Sequence, residues 1–221
     1  MTSRKRAPVD ARFKQYSNYA EIRQMAYNIA AMQRERMLKS VAVLSFFHGE
    51  GKTLFCAALA KAYAQACGSR VLVVDTAQHQ SAGAHVLGDC FSASEHGVEV
   101  TTLGNRKSYE APPPEEAKTS GGGEESGLST LPAVDNDFSM ITKVASENSK
   151  QYGLILLDTS PLTAKNRNNV DPLLVARLAS ASILIVSQKL LDAPGLEDHM
   201  KTMEDSSLHL IGLINNEDFD S

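Results

Sequence analysis

The sequence has 221 residues, of which 43% are hydrophobic, and this length and content are enough for one sizeable globular domain. Its formal net charge of -4, with acidic and basic residues interspersed through most of the chain, excludes the electrostatic pattern of a nucleic-acid-binding protein. The three cysteines, Cys56, Cys67 and Cys90, lack paired metal-ligand spacing, which argues against a disulfide framework or a zinc site and favours a reducing compartment.

The N-terminus is basic and polar. Arg4, Lys5 and Arg6 form a short charged cluster, and no apolar run in the sequence reaches membrane-spanning length. We therefore expect residues 1–18 to be a flexible basic segment, and the protein to be cytoplasmic without a membrane span of its own. A partner would have to bring it to the inner face of the membrane.

The elements predicted in chain order alternate between helices and strands. Residues 19–38 place apolar side chains at helical spacing between Arg, Gln and Glu, which predicts an amphipathic helix. Residues 53–67 are rich in alanine and end before Gly68, as a helix with a glycine C-cap does. Short apolar runs predict strands at residues 41–45, 71–75, 154–158, 183–186 and 210–214.

Nearly continuous apolar strands separated by helical stretches are typical of a parallel sheet that is covered on both faces. We therefore predict an α/β fold, a mostly parallel sheet with helices on both faces, in a single domain over residues 19–221. Residues 105–126 differ, because they are rich in proline, glycine and glutamate and have almost no large apolar side chain. This composition predicts a mobile surface loop, flanked by candidate short strands at residues 98–103 and 128–132.

A glycine-rich turn at residues 49–53 connects the first predicted strand to the alanine-rich helix. Backbone N–H groups in such a turn converge on phosphate oxygens, and glycine lets the backbone approach them closely. Lys52 would reach the terminal phosphates and the Thr53 hydroxyl would bind magnesium, so the turn predicts a P-loop NTPase that binds ATP or ADP with Mg²⁺. The alternative is a simple strand-to-helix turn with an exposed lysine. The predicted nucleotide-binding residues of this turn are Gly49, Glu50, Gly51, Lys52, Thr53 and Leu54.

Two of the predicted strands end in aspartate, at Asp75 and Asp158. Both carboxylates would lie at the C-terminal edge of the parallel sheet, where such folds bind ligands. Each aspartate alone is as readily explained as a helix N-cap or a turn residue. Together with the glycine-rich turn they predict a magnesium site, because magnesium prefers few carboxylates, several waters and the oxygens of the nucleotide.

These motifs, in this order, resemble the MinD/ParA-like P-loop ATPases and, within them, the bacterial tyrosine kinases of capsule and exopolysaccharide synthesis. The similarity extends from about residue 19 to residue 216. The glycine-rich turn is similar to the PGEGK[ST] loop of that family, residues 71–75 fall at its second Walker motif, and residues 156–161 are similar to its DxxP Walker B motif. Residues 212–216 resemble the GxxxN end of a strand.

The resemblance implies roles for individual residues and for partners. Asp75 would position or deprotonate the nucleophile and, with Lys52, serve in catalysis. Thr53 and Asp158 would hold Mg²⁺ directly or through water, and Asn216 would contact the adenine. The resemblance also implies a polysaccharide-export or chain-length membrane protein as partner, and homo-oligomers that form through the helix before the core.

The sequence also departs from the family pattern. Ala77 stands where the kinases carry the second aspartate of a DxD motif, and alanine cannot hold magnesium or its water shell. Phe46 and Phe47 replace small or polar residues, and His48 replaces the proline before GEGK. Phe47 also takes the place of the lysine that is characteristic of MinD and ParA proteins. The chain ends in Asp-Phe-Asp-Ser, without the tyrosine cluster that the kinases phosphorylate.

Three functions stay open on these observations. The first is a degenerate ATP-binding protein that regulates or assembles with a membrane partner, which Ala77, Phe46 and the missing tyrosines favour. The second is an active ATP-dependent tyrosine autokinase or ATPase, since the other site residues are present. The third is a MinD/ParA-type positioning ATPase, which lacks support at Phe47. His48 would either contact the nucleotide as a pH-sensitive group or be a solvated turn residue.

Overall fold

The computed structural model describes residues 8–36, 38–76, 86–87, 89–91, 97–102, 142, 150–164, 170–187 and 194–217. The strands in this part of the chain are β1 (Ser40–Ser45), β2 (Val71–Asp75), β3 (Val98–Thr102), β4 (Leu154–Asp158), β5 (Ala181–Val186) and β6 (Leu210–Asn215). The helices are α1 (Val9–Ser17), α2 (Ala20–Arg36), α3 (Lys52–Cys67), α4 (Pro172–Leu178) and α5 (Leu196–Asp205). None of the helices in these residues is long and apolar enough to cross a membrane.

The strands form one sheet in the order β3-β2-β4-β1-β5-β6, in which all neighbouring strands are parallel. The prediction of an α/β fold with a parallel sheet is therefore confirmed. The chain turns in opposite directions from the middle of the sheet, because β1 leads to β2 on one side and β4 leads to β5 on the other. Ligands of such sheets bind at the C-terminal edge where the direction reverses, which here is at the ends of β1 and β4.

Alternate residues of the central strands face two apolar layers, as the period of an extended backbone requires. In β1, Val41 and Val43 pack in a layer with apolar side chains of α1, α2 and α3. Ala42 and Leu44 pack on the other face with side chains of α4 and α5. Because β1, β2, β4 and β5 are buried along their whole length, the sheet is covered on both faces as predicted.

The predicted strands that fall within the described residues are all present, with bounds that differ by no more than two residues. The candidate strand at residues 98–103 is β3, and the predicted leading helix is α2. Helix α3 ends at Gly68, whose φ of 61° is left-handed, as the glycine C-cap predicts. The predicted loop at residues 105–126 and the candidate strand at 128–132 lie outside the described residues.

Residues 9–17 form helix α1, where the basic sequence predicts a flexible segment. Phe13 and Tyr16 are buried in the layer that contains α3, and the Phe13 ring meets the Phe91 ring edge-on with centroids 5.5 Å apart. Apolar side chains at positions 9, 13 and 16 recur at helical spacing, and the surrounding charged residues obscured this pattern. Burial of two aromatic side chains stabilises α1 on the rest of the fold.

Candidate functional site

The turn at residues 49–53, hereafter the phosphate loop, contains two glycines in the left-handed region of the backbone. Gly49 has φ 86° and Gly51 has φ 83°, a conformation in which a side chain would be strained. Gly51 is the N-cap of α3, no side chain among the described residues caps this helix, and Phe55 N donates to Gly51 O at 2.9 Å. The first-turn N–H groups of α3 can therefore bind an anion, which the helix dipole also favours.

Lys52 is the first residue of α3, and its Nζ lies 3.5 Å from Asp158 Oδ1 at the end of β4. The two side chains are 9% and 3% exposed, so this ion pair is largely removed from water. Asp158 Oδ1 accepts no hydrogen bond from the described residues. A buried carboxylate oxygen without a donor is costly, and a bound cation would satisfy it.

Asp75 ends β2 beside Asp158, its register partner in β4, and both side chains are buried. The two carboxylates also affect Cys56, which is buried one turn after the start of α3. Burial raises the pKa of the Cys56 thiol well above its usual value, the charges of Asp158 and Asp75 raise it further, and Lys52 opposes them. The structure thus brings Lys52, Asp75 and Asp158 together at the C-terminal edge of the sheet.

The side chains present are chemically suited to a magnesium ion. Thr53 supplies a half-buried hydroxyl in the first turn of α3, next in sequence to Lys52. Asp158 supplies a carboxylate oxygen that has no donor among the described residues. A hydroxyl, one carboxylate and the oxygens of a nucleotide are ligands that magnesium takes. The assignment of Thr53 and Asp158 as magnesium ligands stays a prediction.

The Glu50 side chain forms hydrogen bonds within the protein. It is buried, and its carboxylate accepts the N–H of Phe47 at 2.8 Å and the N–H of Ser187, just after β5, at 2.9 Å. The sequence predicts Glu50 as a nucleotide-binding residue, whereas its carboxylate holds the start of the phosphate loop against the end of β5. The assignment of Glu50 as a nucleotide-binding residue stays a prediction, which its backbone could fulfil while the carboxylate holds the loop.

Asn216 follows β6 and is tied to the phosphate loop by its side chain. Asn216 Nδ2 donates to the Glu50 carbonyl at 3.0 Å, and Asn216 Oδ1 accepts from the Tyr16 hydroxyl at 2.9 Å. Asn216 and Tyr16 also line a cavity of about 420 Å³, together with Phe55 of α3. The residue that the family resemblance assigns to adenine therefore lies between this cavity and the phosphate loop.

Hydroxyl groups that follow the strands fix the edge of the sheet around the site. Thr76 donates from its backbone N–H and its hydroxyl to the carbonyl of Asp158, at 2.9 and 3.0 Å. The Thr159 hydroxyl donates to the Val43 carbonyl at 2.7 Å, and the Thr163 hydroxyl donates to the Phe46 carbonyl at 2.8 Å. Sequence reasoning missed these positioning roles, although Thr76 and Thr159 each follow the last residue of a strand, which is a visible signal.

The aromatic residues that replace the family pattern are packed within the fold. Phe46 is buried in the layer of α4 and α5, and Phe47 is half-buried. Their ring centroids each lie 6.4 Å from the centroid of the His199 ring of α5. His48 is exposed, and Ala77 lies outside the described residues. The ring of Phe46 is therefore part of the hydrophobic core.

The chain has the fold of bacterial tyrosine-kinase domains. The kinase domain of VpsO matches with a TM-score of 0.61 and 17% identity, over 94% of this chain and 96% of that one. The kinase domain of the Escherichia coli tyrosine kinase ETK matches with a TM-score of 0.61 and 19% identity, over 98% and 82% of the two chains. The BceF tyrosine kinase domain matches with a TM-score of 0.58 and 16% identity, over 88% and 75%. No protein-family model and no curated protein matches the chain. These matches, at 16–19% identity, show that the chain shares the fold of these kinase domains, as the resemblance predicts.

Proposed function

We propose that this chain binds ATP or ADP with Mg²⁺ and acts as a degenerate, regulatory relative of the tyrosine kinases of exopolysaccharide and capsule export. The proposal rests above all on the start of α3, where no side chain of the described residues caps the helix and Lys52 lies 3.5 Å from Asp158 Oδ1. An open helix N-terminus, two left-handed glycines and a buried lysine are suited to a chain of phosphates.

In this proposal the residues around the phosphate loop bind different parts of the nucleotide and its Mg²⁺. The backbone N–H groups from Gly51 to Leu54 would hold phosphate oxygens, and Lys52 would contact the terminal phosphates. Thr53 and Asp158 would hold Mg²⁺, which when bound neutralises phosphate charge. The cavity beside Asn216 has room for the base.

The proposal that this protein is a degenerate relative is supported by the loss of a carboxylate at a catalytic position. Ala77 removes one carboxylate of the family's DxD motif. Loss of one magnesium-positioning carboxylate lowers the rate about a hundredfold or more, while phosphate binding survives. Such a protein would work in the cytoplasm with a polysaccharide-export or chain-length membrane protein, as a monomer or a homo-oligomer.

An active autokinase or ATPase is the second candidate, and one observation favours it. Asp75 and Asp158 are register partners beside Lys52, so the carboxylates that the chain retains are assembled. Fast ATP hydrolysis or ready tyrosine phosphorylation by the unmodified protein, lost on Asp75→Ala, would support this candidate against the degenerate one. A MinD/ParA-type positioning ATPase is a third candidate that shares the fold and lacks the lysine at Phe47.

Calorimetry with ATP and ADP, in Mg²⁺ and in EDTA, tests the nucleotide-binding proposal. We expect binding by the unmodified protein and none by Lys52→Ala, because the cation that contacts the terminal phosphates is removed. Lys201→Ala is the matched control, since Lys201 is an exposed lysine of α5. No heat and no thermal shift with millimolar nucleotide would refute the proposal.

A further inference from the structure

One amide side chain joins helix α1, the end of β6 and the phosphate loop. The Tyr16 hydroxyl donates to Asn216 Oδ1 at 2.9 Å, and Asn216 Nδ2 donates to the Glu50 carbonyl at 3.0 Å. The Asn216 backbone is held as well, because its N–H donates to the Val186 carbonyl at 2.8 Å. Tyr16 and Asn216 are both buried, so these hydrogen bonds are shielded from water.

These hydrogen bonds fix the orientation of the Asn216 amide. The Glu50 carbonyl selects the nitrogen end, because the reverse orientation would place two acceptors against each other. The Tyr16 hydroxyl then holds the oxygen end. An amide has two N–H donors and two oxygen lone pairs, and the two bonds use one of each. Among the described residues, one donor and one acceptor of the Asn216 amide are left for a ligand.

The cavity that Tyr16 and Asn216 line is suited to a flat base. Its wall is largely apolar, with Ile22, Phe55 and Ile185 among the lining residues. Adenine presents an amino donor beside a ring acceptor, which matches the donor and acceptor left on an asparagine amide. Guanine presents two acceptors on the corresponding edge, so one of them would face the amide oxygen.

We propose that Tyr16 is a positioning residue for adenine recognition by Asn216, which makes helix α1 part of the nucleotide site. The inference rests on the proposed nucleotide-binding function. It adds that the site prefers adenine to guanine and that the amide of Asn216, held by Tyr16, causes this preference. Tyr16 acts on the base alone, because its hydroxyl reaches the site through the Asn216 amide. Phosphate binding by the loop does not depend on it.

A matched control lies elsewhere in the same fold. The Tyr63 hydroxyl donates to Gln33 Oε1, and Gln33 Nε2 donates to the Gly153 carbonyl at 2.7 Å. Tyr63 is buried, so the arrangement of tyrosine, amide and backbone carbonyl is the same. These three residues do not line the cavity. Tyr63→Phe therefore removes an equivalent hydroxyl away from the candidate site.

The test is calorimetry with ATP, GTP and inorganic triphosphate, each with Mg²⁺. The unmodified protein should prefer ATP to GTP. Tyr16→Phe should weaken ATP binding about threefold to tenfold, the effect of one lost hydrogen bond, and leave triphosphate binding unchanged. The ATP-to-GTP affinity ratio should fall by the same factor. Tyr63→Phe should alter neither the ratio nor the triphosphate affinity.

A double-mutant cycle shows whether Tyr16 works through Asn216. Once Asn216→Ala is present, Tyr16→Phe should cause no further loss of ATP affinity. Additive losses, an equal loss for ATP and triphosphate, or an unchanged ATP-to-GTP ratio would overturn the inference while nucleotide binding stands. An unmodified protein that binds neither ATP nor triphosphate would refute the proposed function itself, and the inference with it.

Discussion

Asp75 and Asp158 are register partners at the ends of adjacent strands, so two buried carboxylates share one edge of the sheet. Carboxylates in a poorly solvated site repel each other and are costly to keep ionised. The ion pair between Lys52 and Asp158 offsets part of this cost. Lys52 therefore supports the fold of the site as well as its chemistry.

Lys52→Met should lower the free energy of unfolding by about 3 to 5 kcal/mol, because it leaves Asp158 as a buried charge without its cation. Adding Asp158→Asn should recover part of that loss, since the uncompensated charge is then removed. Urea denaturation measures both variants, and Lys201→Met serves as the exposed control. Equal stability of Lys52→Met and the unmodified protein would contradict the structural role of this ion pair.

Ala77→Asp should raise ATP turnover about tenfold or more from a weak starting level, because it restores the second carboxylate of the family's DxD motif. The spacing of two positions between residues 75 and 77 predicts that both side chains would lie on one face of an extended chain, although residue 77 is outside the described residues. Phosphate release under single- and multiple-turnover conditions measures the effect. Ala77→Asn is the matched control of similar size without the charge. An equal rise with both variants would argue against a role for the carboxylate.

Glu50→Gln should weaken nucleotide binding about tenfold and lower the free energy of unfolding by about 1 to 3 kcal/mol. The Glu50 carboxylate accepts two backbone N–H groups, whereas an amide would turn its own donors toward one of them. Calorimetry and thermal unfolding measure the two effects. Glu204→Gln, at an exposed position of α5, should change neither. Full affinity in Glu50→Gln would show that the loop keeps its shape without this carboxylate.

Phe46→Gly, which puts a small residue where the family pattern has small or polar ones, should lower the free energy of unfolding by about 3 to 5 kcal/mol without raising turnover. The Phe46 ring fills the layer of α4 and α5, so its removal leaves a cavity. Phe47→Ala should cost less, because Phe47 is half-buried. Guanidinium denaturation ranks the two variants. A stable and more active Phe46→Gly protein would mean that the ring obstructs the phosphates.

The parts of the fold that sequence patterns predicted depend on local chemistry. A buried strand, two glycines and an alanine-rich helix lie within 28 consecutive positions from residue 40 to residue 67, so β1, the phosphate loop and α3 follow from neighbouring residues. Asp75 and Asp158 were predicted to lie near each other because the ends of parallel strands share one edge. The register shows them to be direct partners.

The parts that sequence patterns did not predict depend on contacts between distant residues. The Glu50 carboxylate binds the N–H of Ser187, 137 positions away, and no local pattern distinguishes that use from contact with a nucleotide. The Tyr16 contact with Asn216 spans 200 positions. Helix α1 was not predicted for a different reason. The charged residues between its apolar positions hid the helical spacing of those positions. Side-chain hydrogen bonds to distant backbone carry no periodic signal.

Because Tyr16 and Asn216 are 200 residues apart, Tyr16 is synthesised well before its partner. At about 5 to 20 residues per second, Tyr16 leaves the ribosome roughly 10 to 40 s before Asn216. Helix α1 can pack against α3 during that interval, since α3 follows it closely in the chain. Asn216 reaches Tyr16 and the Glu50 carbonyl only when β6 pairs with β5, so a nascent chain that stops before β6 has α1 and the phosphate loop but lacks the residue that connects them.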